Sequence, residues 1–248
     1  MDRDRYTDAT YGDRWAKIYD AWRHPPGFET DAGSAVSFLL ELGEPALELG
    51  IGTGRVALPL AEMGVHGLDV TEPMVAELRS KPGGADIPVT MTSMADFDLG
   101  RRFRLIYVVF NTIWSLRTPE EQASCFRAVA RHLELGGAFV VEAFVPDPSR
   151  YDRGQRVGAR VVETDLVVLE TSMVDPDDGQ RVSSSMVFLA QDRPVELFPI
   201  RIRYATVGEL DGWASDAGLE PSERWADWDR EPFTKGSPKH VSVWRAPA

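Results

Sequence analysis

The sequence is poor in cysteine and has no long hydrophobic run. Its 248 residues include one cysteine, Cys125, so an internal disulfide is excluded, and we interpret this thiol as a small core residue. No apolar stretch approaches the roughly 18 residues that a membrane-spanning helix needs. The first residues, MDRDRYTDAT, have neither a hydrophobic segment nor a small-residue cleavage site. We therefore expect a cytoplasmic protein with no membrane partner.

Positive charge is also scarce. The chain has 27 Lys and Arg against 39 Asp and Glu, which gives a formal net charge of −12. A chain of this charge repels phosphate backbones, so we expect a small-molecule substrate and no nucleic acid. No residue pattern indicates a metal site, and we expect no bound metal.

Short β-rich segments alternate with helical ones from residue 46 onward, which indicates βαβ units and a parallel sheet. The predicted strands of this part cover residues 46–49, 65–70, 87–91, 103–110 and 138–144, and two more cover 219–225 and 240–244. The predicted helices begin at Thr71, Thr118 and Thr206 and end at Arg79, Gly136 and Gly218. A further helix is expected after residue 54, regular only beyond Pro59.

Residues 146–205 interrupt the alternation with a series of β-rich segments. We expect an antiparallel β insert that serves as a lid, as a homodimer interface, or as both. Residues 1–145 and 206–248 are predicted to form one Rossmann-like domain, with residues 1–43 as a helical cover. The segments of the insert cover residues 157–162, 166–174, 181–190 and 195–204.

The stretch LELGIGTGR, residues 47–55, has glycines at three alternate positions. A glycine-rich turn between a strand and a helix brings the backbone close to a ligand and directs N–H groups at an anion. A dinucleotide fingerprint needs a third glycine where this chain has Arg55, and no G-K-[ST] follows. Glu48 precedes the first glycine by two residues, which suits the ammonium of an amino acid better than a pyrophosphate.

A second carboxylate, Asp69, ends the next predicted strand. In a doubly wound sheet this strand end lies beside the first, so Asp69 can accept hydrogen bonds from both hydroxyls of a ribose. Together with Glu48 and the glycine loop, it predicts a site for a nucleoside attached to an amino acid.

At these residues the sequence resembles the class I S-adenosylmethionine-dependent methyltransferases. LELGIGTGR looks like their first motif and GLDVTEPMVAELR, residues 67–79, like their second. The layout, with a β insert after strand five, is similar to the N,N-dimethyltransferases of nucleotide-linked amino sugars. The resemblance implies an α/β, Rossmann-like, mostly parallel sheet of seven strands whose last strand is reversed. It also implies S-adenosyl-L-methionine as cofactor and methyl transfer to N or O of a small metabolite such as a natural product or sugar derivative.

Two other functions stay open at this point. One is an NAD(P)-dependent oxidoreductase on the same type of fold, against which Arg55 argues. The other is a protein that binds S-adenosylmethionine without catalysis, since the stretch TSMADF, residues 92–97, has Ser93 where family members often have an acid that contacts adenine.

The resemblance also implies which residues contact the cofactor. These lie in the N-terminal helical segment, the two motifs, the TSMADF stretch and the end of strand four. They are Tyr19, Glu48, Gly50, Gly52, Gly54, Asp69, Val70, Met74, Ser93, Met94, Ala95 and Phe110.

The sequence gives fewer signals for the residues that contact the methyl acceptor than for those that contact the cofactor. A hydroxyl acceptor benefits from a general base, whereas a neutral amine does not need one. His240, at the start of the last strand, is the first candidate base, with a structural histidine as the alternative, and Glu142 is the second candidate. His24 lies in the segment expected to cover the cofactor. The loop RWADWDREPFTKGSPKH, residues 224–240, supplies aromatic and arginine side chains that either line the pocket or pack the loop onto the sheet.

The end of strand four, VVFNTIWSL, lacks the D/N-P-P-Y motif of amino-group methylation on bases and proteins, and Asn111 alone matches its first position. This difference further disfavours nucleic acid. The predicted acceptor contacts are Asn111, Trp114, Trp228, Arg230 and Phe233.

Overall fold

The computed structural model describes residues 6–22 and 32–248, so parts of the expected cover over residues 1–43, and His24, lie outside the described residues. Within these ranges the chain forms six α-helices and eleven β-strands. The helices are α1 (Asp8–Trp15), α2 (Tyr19–Trp22), α3 (Ala32–Leu40), α4 (Glu72–Arg79), α5 (Pro119–His132) and α6 (Val207–Asp216). The strands are β1 (Ala46–Leu49), β2 (His66–Asp69), β3 (Val89–Met91), β4 (Phe103–Val108), β5 (Leu133–Phe144), β6 (Gln155–Val162), β7 (Leu166–Val174), β8 (Arg181–Ala190), β9 (Glu196–Arg203), β10 (Glu220–Trp225) and β11 (Lys239–Arg245).

The larger sheet has seven strands within the described part of the chain, in the order β10-β11-β5-β4-β1-β2-β3. The strands β3, β2, β1, β4 and β5 pair in parallel, whereas β11 is antiparallel to β5 and β10. The predicted fold class is therefore confirmed, including the reversed last strand. The parallel pairing brings the carboxyl ends of β1, β2, β4 and β5 to one edge of the sheet, where α/β proteins bind their ligands.

Both faces of this sheet are covered by helices. On one face, Phe126 of α5 packs against Phe139 and Trp244, with ring centroids 5.2 and 5.6 Å away. On the other, Phe38 of α3 meets Trp228 edge-on at 5.5 Å. The near-continuous apolar strands β4 and β5 follow from this two-sided burial. No helix in the described ranges has the length and apolar character to cross a membrane.

Two predicted helices differ from those in the structure. After the glycine loop the chain makes turns and a short 3₁₀-helix, Ala61–Met63, because Gly54 has a φ of +75° and Pro59 has no N–H to donate. Helix α5 ends at His132 instead of Gly136, and β5 begins at the next residue. The helix ends there because Leu133 adopts an extended backbone and pairs with Phe103 of β4.

The strands β6 to β9 form a separate antiparallel sheet in sequence order, as expected for the insert. Arg203 at the end of β9 joins it to the helices of the larger sheet. Its guanidinium, which is buried, donates to the side-chain oxygens of Gln122 on α5, at 3.0 Å, and of Gln180. The carboxylates of Asp178 and Glu209 lie 3.5 and 3.6 Å away, so this buried charge is compensated.

We predict that Arg203→Ala lowers the free energy of unfolding by about 3–5 kcal/mol, because it leaves two carboxylates beside the emptied position. Urea denaturation followed by circular dichroism measures this change. The exposed pair of Arg193 with Glu196, at 3.7 Å, offers a matched control: Arg193→Ala should change stability by no more than about 1 kcal/mol. Equal effects of the two substitutions would contradict the role given to Arg203.

Candidate active site

A cavity of about 580 Å³ lies at the carboxyl ends of β1, β2, β4 and β5. Residues of α1 and of one face of the smaller sheet, which we call the inner face, also line it. Its volume is in the range of small-molecule sites. The inner face carries Arg156, Arg160, Glu170, Ser172, Ser184, Met186, Ile200 and Ile202 in the cavity wall.

The glycine loop forms the floor of the cavity. Gly50, Gly52 and Gly54 have φ values of +72°, +54° and +75°, a region that glycine adopts without strain. A Cβ on Gly50 would lie 2.4 Å from Cγ2 of Thr112, and one on Gly52 would lie 3.3 Å from Cε of Met74. Any larger side chain would therefore be strained and would narrow the space above the loop.

Asp69 fixes the conformation of this loop. Its Oδ2 accepts the N–H of Gly52 at 2.8 Å, and its Oδ1 accepts the N–H and the hydroxyl of Thr71 at 2.8 and 2.5 Å. A carboxylate has about four acceptor positions, so the Asp69 side chain can still accept a further hydrogen bond on its cavity side.

Glu48 is the second acid at the floor, and it is only 3% exposed. Burial raises the pKa of its carboxyl group to about 8, although the Tyr107 hydroxyl, which donates to Oε2 at 3.1 Å, opposes the shift. Burial thus makes the carboxylate form costly, and a nearby positive charge, such as that of Arg55, lowers this cost. The site therefore suits a positively charged group such as an ammonium.

The N-terminal helices lie over the floor. Tyr11, Trp15 and Tyr19 line the cavity, and burial raises the pKa of Tyr11 well above its usual range, so its phenol stays protonated. Asp20 of α2 accepts the Thr53 hydroxyl at 2.8 Å and pairs with Lys81 at 2.5 Å. The cover is thus attached to the glycine loop itself.

The structure brings most of the predicted cofactor residues together. Those that line the cavity are Tyr19, Glu48, Gly50, Gly52, Asp69, Val70, Met74, Ser93, Met94 and Phe110, together with Asn111 from the predicted acceptor set. Gly54 and Ala95 do not line it. Gly54 packs against Leu78, which a Cβ would approach to 2.2 Å, and Ala95 donates its N–H to Oγ of Ser93.

The expectation that His240 faces the ligand is wrong. The start of β11 does lie at the carboxyl end of β5, but His240 does not line the cavity and is 1% exposed. Its Nδ1 shares a hydrogen bond with the Ser242 hydroxyl at 2.8 Å. Burial lowers its pKa to about 4, so the ring is a neutral, structural histidine.

The prediction that Glu142 is a candidate base in the cavity is also wrong. Glu142 is 5% exposed and does not line the cavity, and its Oε2 accepts the N–H of Phe110 at 2.9 Å. Burial raises the pKa of its carboxyl group, and the Phe110 N–H opposes this shift.

The aromatic loop before β11 packs onto the sheet instead of lining the cavity. Trp228 is buried against Phe38, and Arg230 pairs with Glu41 at 2.5 Å while its guanidinium covers the same ring at 4.7 Å. Phe233 meets the ring of His240 at 6.3 Å. The three predicted acceptor contacts in this loop are therefore wrong: Trp228 and Arg230 pack on the α3 side of the sheet, and Phe233 packs beside His240 and Arg224.

The prediction that Trp114 contacts the acceptor is wrong for a different reason. Trp114 belongs to the turn after β4, but its ring is fully buried and meets Phe144 at 6.0 Å. Its neighbours Thr112 and Ser115 line the cavity, whereas the indole of Trp114 belongs to the hydrophobic core.

Sequence reasoning missed the residues that the smaller sheet contributes. The inner face alternates along β7 and β8 with the opposite face, and Ser172 and Ser184 meet there at 2.9 Å between hydroxyls. The sequence shows this alternation, but it does not show which of the two faces lines a cavity. Arg55 was also missed as a lining residue: its guanidinium lies 3.1 Å from the ring centre of Phe110.

The comparisons with known proteins agree with this geometry. Residues 46–137 match the family described as "Methyltransferase domain". The solved structure of the CcbJ methyltransferase from Streptomyces caelestis is 40% identical and superposes with a TM-score of 0.89, covering 98% of this chain and all of that one.

Two curated relatives point the same way. The cypemycin N-terminal methyltransferase of a Streptomyces species is 29% identical over 207 residues, which cover 81% of this chain and 82% of the relative. The dTDP-4-amino-2,3,4,6-tetradeoxy-D-glucose N,N-dimethyltransferase of Saccharopolyspora spinosa is 30% identical over 146 residues, which cover 55% of this chain and 57% of the relative. Nothing in these likenesses supports an oxidoreductase or a non-catalytic binding protein. The chain belongs to the S-adenosylmethionine-dependent methyltransferases and is an enzyme of that family.

Proposed function

We propose that the protein transfers a methyl group to an amine nitrogen of a small natural product or amino sugar. The observation that carries this choice is the lack of a histidine base among the described residues that line the cavity. Among the described residues no histidine lines it, because His66, His132 and His240 are all bonded elsewhere. A hydroxyl acceptor benefits from a base, whereas an unprotonated amine attacks without one.

The carboxylates of the cavity wall are hydrogen-bonded or ion-paired within the protein, which makes them poorer candidates for that base. Glu170 lies between two arginines, paired with Arg160 and 3.9 Å from Arg156. Glu121 accepts the backbone N–H groups at the start of α5, and Asp147 accepts from Ser149. The remaining two, Glu48 and Asp69, belong to the cavity floor. The two curated relatives named above are N-methyltransferases according to their names, which also supports an amine acceptor.

The floor residues are suited to hold S-adenosylmethionine, which supplies a methyl group on a positively charged sulfur. We assign the amino-acid end of the cofactor to the Gly50–Gly52 backbone and Glu48, because the loop offers close approach and the buried acid favours a cation. We assign the ribose to Asp69. We assign the adenine ring of the cofactor to an apolar wall formed by Val70, Met74 and Met94, beside Ser93.

The remaining residues align the acceptor and exclude water. Methyl transfer needs the nitrogen and the methyl group in line, so a rigid, closed cavity supplies much of the catalysis. Tyr11, Trp15 and Tyr19 form the closing wall. Arg156 and Arg160 of the inner face outnumber the one acid between them, Glu170, and give the acceptor side a positive potential, which disfavours the protonated form of an amine. The acceptor is thereby kept in its nucleophilic form.

The acceptor is tested by incubating the protein with isotopically labelled S-adenosylmethionine and a panel of amines, each matched with its hydroxyl analogue. dTDP-amino sugars and peptides with a free N-terminus form the first panel, and mass spectrometry detects the labelled product. We expect label on nitrogen, with a rate that rises with pH as the acceptor amine loses its proton. Label on oxygen alone would contradict the proposal.

The role of Asp69 is tested by Asp69→Ala. We expect the affinity for S-adenosylhomocysteine, measured by calorimetry, to fall about tenfold or more, because hydrogen bonds to the charged group and the anchor of Gly52 are both lost. Asp96, an exposed acid outside the cavity that pairs with Arg131 at 2.5 Å, supplies the control variant Asp96→Ala. An unchanged dissociation constant for Asp69→Ala would contradict the proposed role of Asp69 in cofactor binding.

We further propose the domain division expected from the sequence, with residues 146–205 as a lid over the cofactor domain of 1–145 and 206–248, and a location in the cytoplasm. The inner face supports the lid, because it forms part of the cavity wall. The single, buried cysteine is compatible with a reducing compartment.

The opposite face of the smaller sheet, which we call the outer face, supports a homodimer. Strand register aligns Ala159, Leu169, Val187 and Leu197 in one row across all four strands. Around this row lie the exposed apolar side chains Val157, Val162, Met173 and Leu189. Four strands of eight residues span about 19 by 26 Å, an area on the order of that which each partner buries in a stable complex.

A second copy of the chain is the partner that we propose for this face. Two chains of charge −12 repel each other, and the uncharged central row is a surface through which they can meet without bringing like charges together. A two-fold axis through the middle strands would place Leu169 and Val187 of one copy against the same row of the other.

Light scattering should give twice the chain mass of 27.6 kDa. Leu197→Arg, in the central row, should give a monomer, because a charge would be buried in the interface. The control is Leu135→Arg, at a side chain that is 74% exposed on β5. A monomeric unmodified protein would contradict the dimer, and a dimer that survives Leu197→Arg would contradict this surface.

A further inference from the structure

Two consecutive residues after β4 adopt a backbone conformation that non-glycine residues rarely use. Phe110 and Asn111 have φ values of +55° and +65°. Asparagine tolerates this region, whereas for phenylalanine it costs on the order of 1 kcal/mol or more. A conformation of this kind persists only where surrounding contacts hold it, so the residues that hold this turn need to be identified.

The contacts come from β5, and Glu142 supplies two of them. Its Oε2 accepts the N–H of Phe110 at 2.9 Å, and its backbone carbonyl accepts the N–H of Asn111 at 3.3 Å. In return, Oδ1 of Asn111 accepts the N–H of Phe144 at 2.7 Å. The Glu142 carboxylate is the only side chain that the described structure provides as an acceptor for Phe110 N–H.

The same turn touches the glycine loop at two points. Cγ2 of Thr112 lies where only a glycine leaves room, 2.4 Å from the position of a Cβ on Gly50. The ring of Phe110 lies 3.1 Å from the guanidinium carbon of Arg55, which follows the loop. The turn is therefore packed against both the first glycine of the loop and the residue that comes after the last one.

We propose that Glu142 is a positioning residue for cofactor binding: it holds the Phe110–Asn111 turn against the glycine loop without itself touching the cavity. This inference rests on the assignment of the glycine loop to the cofactor. A buried carboxylate is costly unless its hydrogen bonds repay desolvation, so an apolar residue would pack at this place at lower cost. Holding a strained backbone N–H is the use that the geometry gives to this acid.

Two substitutions at this position test the proposal with S-adenosylhomocysteine as the probe. Glu142→Ala removes the acceptor, and we expect its affinity to fall about tenfold, the usual effect of losing a hydrogen bond to a charged group. Glu142→Gln keeps a neutral acceptor, which is roughly half as strong, so its affinity should be intermediate, about threefold below that of the unmodified protein. Calorimetry gives all three dissociation constants.

A matched control separates this role from a general loss of stability. Glu209 also uses a carboxylate oxygen to accept a backbone N–H, that of Thr206 at 2.8 Å, but it lies outside the cavity. Glu209→Ala should lower the melting temperature and leave the dissociation constant unchanged. Affinities are compared at a temperature at which circular dichroism shows each variant to be folded.

The outcomes are distinct. If the unmodified protein does not bind S-adenosylhomocysteine, the cofactor assignment itself fails. If it binds and the three residues at position 142 give equal affinity, the positioning role is overturned while the cofactor assignment stands. Should Glu142→Ala not fold, the comparison of Glu142→Gln with the unmodified protein decides alone, and equal affinity overturns the role. A loss of affinity in Glu209→Ala equal to that in Glu142→Ala would also overturn it.

Discussion

The carboxylate of Asp69 is the constraint on which the rest of the site depends. It holds Gly52 of the loop and Thr71 at the start of α4, so the loop and that helix are placed relative to each other by one side chain. Gly12 of α1 packs on Thr71, where a Cβ would come within 2.7 Å. The position of the cover thus also depends on a residue that Asp69 fixes. Because three elements share this anchor, the floor and the closing wall of the cavity form one unit.

Charge divides the cavity into two sides. The floor has two acids, Glu48 and Asp69, and the inner face has Arg156 and Arg160 around Glu170. On the proposed assignment, the acidic floor would hold the cationic cofactor and the basic side would face the acceptor. The methyl transfer, which uses up the positive charge on sulfur, would then take place between these two sides. This division operates locally, in a chain whose net charge is strongly negative.

The sequence was sufficient for the elements whose signals are local, and insufficient where tertiary packing decides. The capping boxes at Thr118 and Thr206 and the strands of both sheets depend on neighbouring residues, and the structure has them near the predicted positions, except that β5 begins at Leu133 instead of residue 138. The place of His240 depends on the register of β11 with β5, and that of Trp228 depends on how its loop packs against α3, neither of which a local pattern encodes. The same holds for the inner face, since alternation defines two faces but does not say which one meets the cavity.

Two acids at strand ends show most clearly which features the sequence does not determine. Asp69 and Glu142 both lie near the carboxyl end of a strand, and both accept a backbone N–H from a residue with positive φ. The sequence does not distinguish these two acids, because both positions at a strand end predict contact with a ligand. Burial separates them: Asp69 lines the cavity and has acceptor capacity left, whereas Glu142 is enclosed behind Phe110. A carboxylate at such a place can therefore bind a ligand, hold the backbone that does so, or do both, and accessibility from the cavity determines which of these it does.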